Sequence, residues 1–98
     1  MLKRYKVALT AQAEKDIDII WDYSAADSVE NASRFVCEIE KRVALLNTFP
    51  ERHPLIRENN YLYADYRHLI YGHYRIVYRI TGVFVYIMRI IHGAQELR

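Results

Sequence analysis

Four arginines, Arg67, Arg75, Arg79 and Arg89, are the most concentrated chemistry in this sequence, because they fall in three consecutive strand-like runs near its carboxyl end. Arg75 and Arg79 are separated by an even number of residues, so on a strand they share a face with His73 and Val77. A cationic sheet face of that kind can dock an acidic protein segment. The plainer alternative is a solvated face paired across strands to Asp65 or Glu58. His92 closes the last run, and an imidazole titrates where a general acid or base is useful. His53, His68 and His73 are its possible partners, although a packed, hydrogen-bonded place at a strand end suits His92 equally. No two histidines have a metal-ligand spacing such as H-x-x-x-H, so no metal is expected.

Nine tyrosines add a second kind of surface, six of them between residues 61 and 78. Such rings can stack on bases, but they are more often strand formers with a wet hydroxyl end. Tyr74 and Tyr78 alternate with Ile76 and Ile80 and are assigned to the core, whereas Tyr61, Tyr63 and Tyr66 are expected to be exposed to a partner. Trp21 and Cys37 are read as packing residues.

The elements that must position these groups follow from hydrophobic period. Residues 2 to 9, LKRYKVAL, alternate as a half-buried strand. Thr10 can cap an amphipathic helix reaching about Ala26, in which Ala13, Ile17, Ile20 and Trp21 form one stripe and Glu14, Asp18 and Asp22 another. Asp27 or Ser28 can cap a second helix, where Ala32, Val36, Ile39, Val43 and Leu46 repeat to about Asn47 and Phe35 and Leu45 widen the buried stripe. Pro50 and Pro54 then stop helical structure. Residues 48 to 64 show no period and are read as a binding loop. Three strand-like runs follow at 66 to 71, 73 to 80 and 83 to 91, with turn signals at Gly72 and at Thr81 and Gly82. They predict an antiparallel meander.

A chain of 98 residues with 52% apolar residues is enough for one domain with its own core. Cys37 is the single cysteine, which excludes an internal disulfide framework. The apolar runs fall short of the roughly 20 residues a membrane span needs, and a cytoplasmic protein is expected. The carboxyl-terminal half holds seven basic and four acidic residues, against seven and eight before it. That excess is too small to signal nucleic-acid binding by charge alone.

The run YRIVYR at 74 to 79, followed by a strand ending in IHG at 91 to 93, resembles the RelE/ParE toxin superfamily over nearly the whole chain. Ala13 and Asp16 near the first strand, Trp21 and Tyr23 late in the first helix, and Pro50 after the second belong to the same resemblance. It implies an α+β fold in the order β-α-α-β-β-β and a toxin of a type II toxin–antitoxin module. A cognate antitoxin is the implied partner, and no cofactor is implied. RelE-like members cut messenger RNA on the ribosome, and ParE-like members bind DNA gyrase. Cleavage through a 2′-hydroxyl needs a base, cations on the phosphorane-like transition state and a proton donor. For that role the resemblance offers Arg75 and His92. It also expects a basic residue near Gly93 or Ala94 and a Tyr soon after, where this sequence reads HGAQELR, and its lysines stand only at positions 3, 6, 15 and 41.

The ParE-like reading is therefore preferred, with DNA gyrase as target; the ribosome and messenger RNA are the alternative partners. The partner-binding residues it implies are Arg67, Arg75, Arg79, Arg89, Tyr61, Tyr63 and His92, with Gln95, Leu97 and Arg98 in the tail that ParE-like toxins turn on gyrase. Two structural expectations accompany it. Arg75→Ala should leave the fold intact, and residues 93 to 98, with Leu97 their one sizeable apolar side chain, should contribute little to the core.

Overall fold

Two hydroxyl caps begin the helices. Thr10 Oγ1 accepts from the Ala13 amide at 3.2 Å and starts α1 (Ala11–Ala25), and Ser28 Oγ accepts from Asn31 at 3.1 Å and starts α2 (Val29–Ala44). The computed structural model describes residues 2–97. Before α1 lies β1 (Lys6–Leu9); after α2 come a short α3 (Asn59–Leu62), then β2 (Arg67–Tyr71), β3 (Tyr74–Thr81) and β4 (Phe84–His92). This is the α+β order the sequence predicts, with two helices between the first strand and the three-stranded meander. Among the described residues no helix is long and apolar enough to cross a membrane.

The sheet order is β1-β4-β3-β2, so β4 is central, parallel to β1 on one side and antiparallel to β3 on the other. Both hairpins turn on a glycine at the first loop position, Gly72 with φ +58° and Gly82 with φ +59°, where a two-residue turn of the II′ kind needs positive φ. Helix side chains Ala13, Ile20, Ile39, Val43 and Leu46 cover one sheet face and meet Ile76, Tyr78, Val85, Ile87 and Ile90. A smaller cluster of Ile56, Val77, Ile91 and Leu97 covers the opposite face. Val77 lies opposite Arg89 and Tyr78 opposite Ile87, so Met88 is an extra residue in β4. This bulge lets Ile87 and Ile90, three apart, face the same helices.

Several sequence expectations are corrected. Residues 48 to 64 are not an unstructured loop: a 3₁₀ turn at Pro50–Arg52 and α3 lie within them, and Pro50, Ile56 and Glu58 are buried. Leu45 is 59% exposed because α2 ends at Ala44 and tightens into a 3₁₀ turn, which swings Leu45 off the stripe. Cys37 is exposed, one position off the buried row of α2. Tyr66 is half-buried, drawn in by paired hydrogen bonds between its backbone and the Asn59 amide side chain at 2.9 and 3.0 Å.

Tyr78 is fully buried, and its hydroxyl donates to the Pro50 carbonyl, pinning the segment after α2 to the sheet. Burial pushes the phenol up to about 12. Tyr78→Phe leaves that carbonyl without its donor in a dry site, and a loss of about 1–3 kcal/mol is expected. Urea denaturation measures it, and a loss below about 0.5 kcal/mol would show that the bond does not hold the segment.

Candidate functional site

The carboxyl-terminal tail is fastened from below by two side chains of opposite charge. Glu58 is fully buried just before α3, and Arg75, in β3, is 5% exposed. Arg75 Nη1 donates to Glu58 Oε1 at 3.1 Å, while Nη2 donates both to Glu58 Oε2 and to the Gln95 carbonyl, the latter at 2.9 Å. The same Glu58 carboxylate accepts from the Leu97 amide at 3.2 Å, and the Tyr61 hydroxyl donates to the Leu97 carbonyl at 3.4 Å. Leu97, 6% exposed, inserts among Ile56, Val77 and Ile91. The bonds from Arg75 outweigh the penalty of burial and hold the Glu58 carboxyl down to about 2.

Two expectations fall on this geometry. Arg75 does not stand on a solvated face, and the tail is not free of the core, because Leu97 and its amide are both buried in it. Glu58, considered from sequence only as a surface partner for arginines, is instead the acceptor on which the tail is organised.

A groove of about 580 Å³ opens on the helix side of the same strand ends, lined by Asp16, Ile19, Tyr23, His73, Arg89 and His92 among others. Arg89 Nε donates to Asp16 Oδ2 at 2.8 Å and Nη2 to Oδ1 at 3.2 Å, and Asp16 also accepts from the Ile90 amide at 2.9 Å. Asp16 thereby serves the part of β4 that β1, ending at Leu9, no longer flanks. His92 is exposed and stacks on His73, ring centroids 6.0 Å apart and 13° between planes, with the Tyr74 ring edge-on at 5.7 Å. Among the described residues no cluster of three or more His, Cys, Asp or Glu could hold a metal ion.

The structure thus brings Arg75, Tyr61, Gln95 and Leu97 together at the tail, and Arg89 and His92 at the groove. Arg67 stands apart: its Nη1 donates to the Glu51 and His53 carbonyls at 3.0 and 2.7 Å, and, after the backbone and Tyr5 hydrogen bonds, its charge helps hold the Glu51 carboxyl below the usual carboxylate range. Arg79 is exposed towards the far end of β3. Tyr63 is 95% exposed and held at φ +52°, and Arg98 lies outside the described residues. Sequence reasoning named His73 as a possible partner of His92, and its ring stacks there. It missed that Glu58 organises the tail and that Asp16 holds Arg89 and the Ile90 amide. Of these two only Asp16 had a signal of its own, the Ala-x-x-Asp stretch that begins α1.

The family model for the ParE toxin of the type II toxin–antitoxin system parDE matches residues 7–97. Among solved structures, a chain of the chromosomal ParDE system from P. aeruginosa is similar, with a TM-score of 0.73 and 21% identity over 92% of this chain and 97% of that one. A chain of the RelBE2 toxin–antitoxin complex from Mycobacterium tuberculosis is similar at TM-score 0.66 and 26% identity, over 91% of this chain and 98% of that one. No curated protein matches the sequence.

The buried pair generates two expected outcomes. Arg75→Ala leaves Glu58 without its counter-ion and should cost about 3–5 kcal/mol. A loss under about 1 kcal/mol in chemical denaturation would contradict the burial of the pair. Because the folded-state value of Glu58 is depressed, its contribution is present above the ordinary carboxylate value and is lost as pH falls from about 4.5 to about 2. Denaturation midpoints across that window should fall steeply for the native protein and less steeply for Glu58→Gln; equal slopes would count against the pair.

Proposed function

Because the chain belongs to the ParE toxin family of type II toxin–antitoxin systems, we propose that it acts in the cytoplasm by binding and inhibiting DNA gyrase and is neutralised by a cognate antitoxin. The observation that carries the gyrase reading is the match to the ParE toxin model over residues 7–97. Geometry at Arg75 supports it. A nuclease needs a cation open to the reacting phosphate, and both terminal nitrogens of Arg75 are already committed, to Glu58 and the Gln95 carbonyl, below the surface. An antitoxin partner is supported by the two similar structures, one from a toxin–antitoxin system and the other from a toxin–antitoxin complex.

The arginines divide in this reading. Asp16 already neutralises Arg89 and the Glu51 carboxylate acts on Arg67, so an acidic antitoxin segment gains more from exposed Arg79. On the target side, the tail offers the exposed side chain of Gln95, whose carbonyl and not its amide group holds Arg75. Gln95→Ala therefore tests contact without unfastening the tail.

A second reading, a ribosome-dependent endoribonuclease, draws on one observation, the exposed stacked pair of His73 and His92 beside Arg89. The purified protein should inhibit gyrase supercoiling, leave ribosome-bound message intact, and lose about tenfold in inhibition on Gln95→Ala with no change in melting temperature. Message cleavage that stops on His92→Gln, without any effect on supercoiling, would replace the gyrase reading with the nuclease one.

A further inference from the structure

On the sheet face away from α1 and α2, behind the tail, lies a pocket of about 290 Å³ lined by Arg57, His68, Ile70, Arg75 and Gly93. Its polar groups are unusually short of partners. Arg75 Nε is buried and has no acceptor, although both terminal nitrogens of the same guanidinium are bonded. His68 Nδ1 is buried and unpartnered as well. Arg57 is exposed and forms no ion pair with any described residue. Buried polar groups in proteins are almost always bonded, and two orphans lining one small pocket mark a place where a ligand atom completes the set.

We infer that this pocket binds a carboxylate, the side chain of an Asp or Glu carried by a peptide partner. Arg75 Nε–H supplies a fixed donor that cannot be deprotonated, Arg57 supplies a mobile guanidinium at the rim, and a neutral His68 has one N–H to offer. Burial, and then Arg75, hold His68 below its ordinary value, with Glu58 opposing.

Glu58 decides between a carboxylate and a phosphate. Its carboxylate sits directly behind Arg75 and cancels one of the two arginine charges at short range, which repels a doubly charged phosphate more than a singly charged carboxylate. Ile70, 52% exposed on the pocket wall, gives the flank an apolar surface that suits the neighbours of an acidic side chain in a peptide better than a sugar–phosphate backbone. That the peptide belongs to an antitoxin or target rests on the proposed function; the affinity of the pocket for a carboxylate does not.

The isolated protein is the right object for the test. Sodium acetate is titrated at pH 7 against sodium chloride of equal ionic strength, and the His68 ring resonances are followed by NMR. Acetate should move them saturably and chloride should not, and Arg57→Ala, at an exposed position, should weaken acetate at least tenfold while the melting temperature holds. Phosphate in place of acetate should bind about tenfold more weakly or worse. Equal responses to acetate and chloride, or an unchanged acetate affinity in Arg57→Ala, would overturn the site. Tighter binding of phosphate than of acetate would overturn the carboxylate assignment in favour of a nucleic-acid backbone. None of these outcomes depends on gyrase or on an antitoxin, so failure here is distinct from failure of the toxin reading.

Discussion

The buried contact between Glu58 and Arg75 is the constraint around which the face of the sheet away from the long helices is built. A carboxylate and a guanidinium out of water are costly apart and tolerable only when their bonds are filled. Here the requirement is met at every position but Arg75 Nε by drawing in two further groups, the Gln95 carbonyl and the Leu97 amide, both from the tail. One ion pair thereby joins three parts of the chain distant in sequence: the start of α3, the beginning of β3 and the residues after β4. The apolar cluster of Ile56, Val77, Ile91 and Leu97 forms beside it, so charge pairing and burial act on the same surface.

That arrangement divides the molecule into two faces. On the helix side, the core of Ile39, Leu46, Ile76, Tyr78 and Ile87 includes no residue of the tail. On the other side, Arg75 fastens the tail and also lines a pocket, with its Nε buried and unpartnered. Asp16 does comparable work at the groove, where it neutralises Arg89 and caps the Ile90 amide beyond the end of β1. The two buried acids thus occupy two of the sheet's arginines, Glu58 binding Arg75 and Asp16 binding Arg89.

Most of the fold was legible in the sequence, because helical stripes such as Ala32, Ile39, Val43 and Leu46 and the alternation around Ile76 and Tyr78 report burial directly. The site was much less so. Glu58 lies in a segment without period, and its burial depends on residues 55 to 62 folding back over the sheet, a tertiary event that no local pattern encodes. Arg75 was placed on an open face because a two-residue period says which residues share a face and nothing about what covers it. Across the bulge at Met88 even the period fails, since Ile87 and Ile90 point to the same side. Leu97 shows the same limit from the other direction: a lone apolar residue in a polar tail carries no pattern, yet it is 6% exposed.

The central claim is that the tail is part of the folded core, held there by Glu58. Native-state hydrogen exchange at the Leu97 amide tests it most directly, because that proton is donated to the Glu58 carboxylate and to nothing else. The account predicts strong protection in the native protein, approaching that of the Val77 and Ile91 amides in the sheet, and collapse of that protection at Leu97 in Glu58→Gln. Exchange of Leu97 at the rate of an unstructured peptide in the native protein would contradict it, and would return the tail and Arg75 to the open surface.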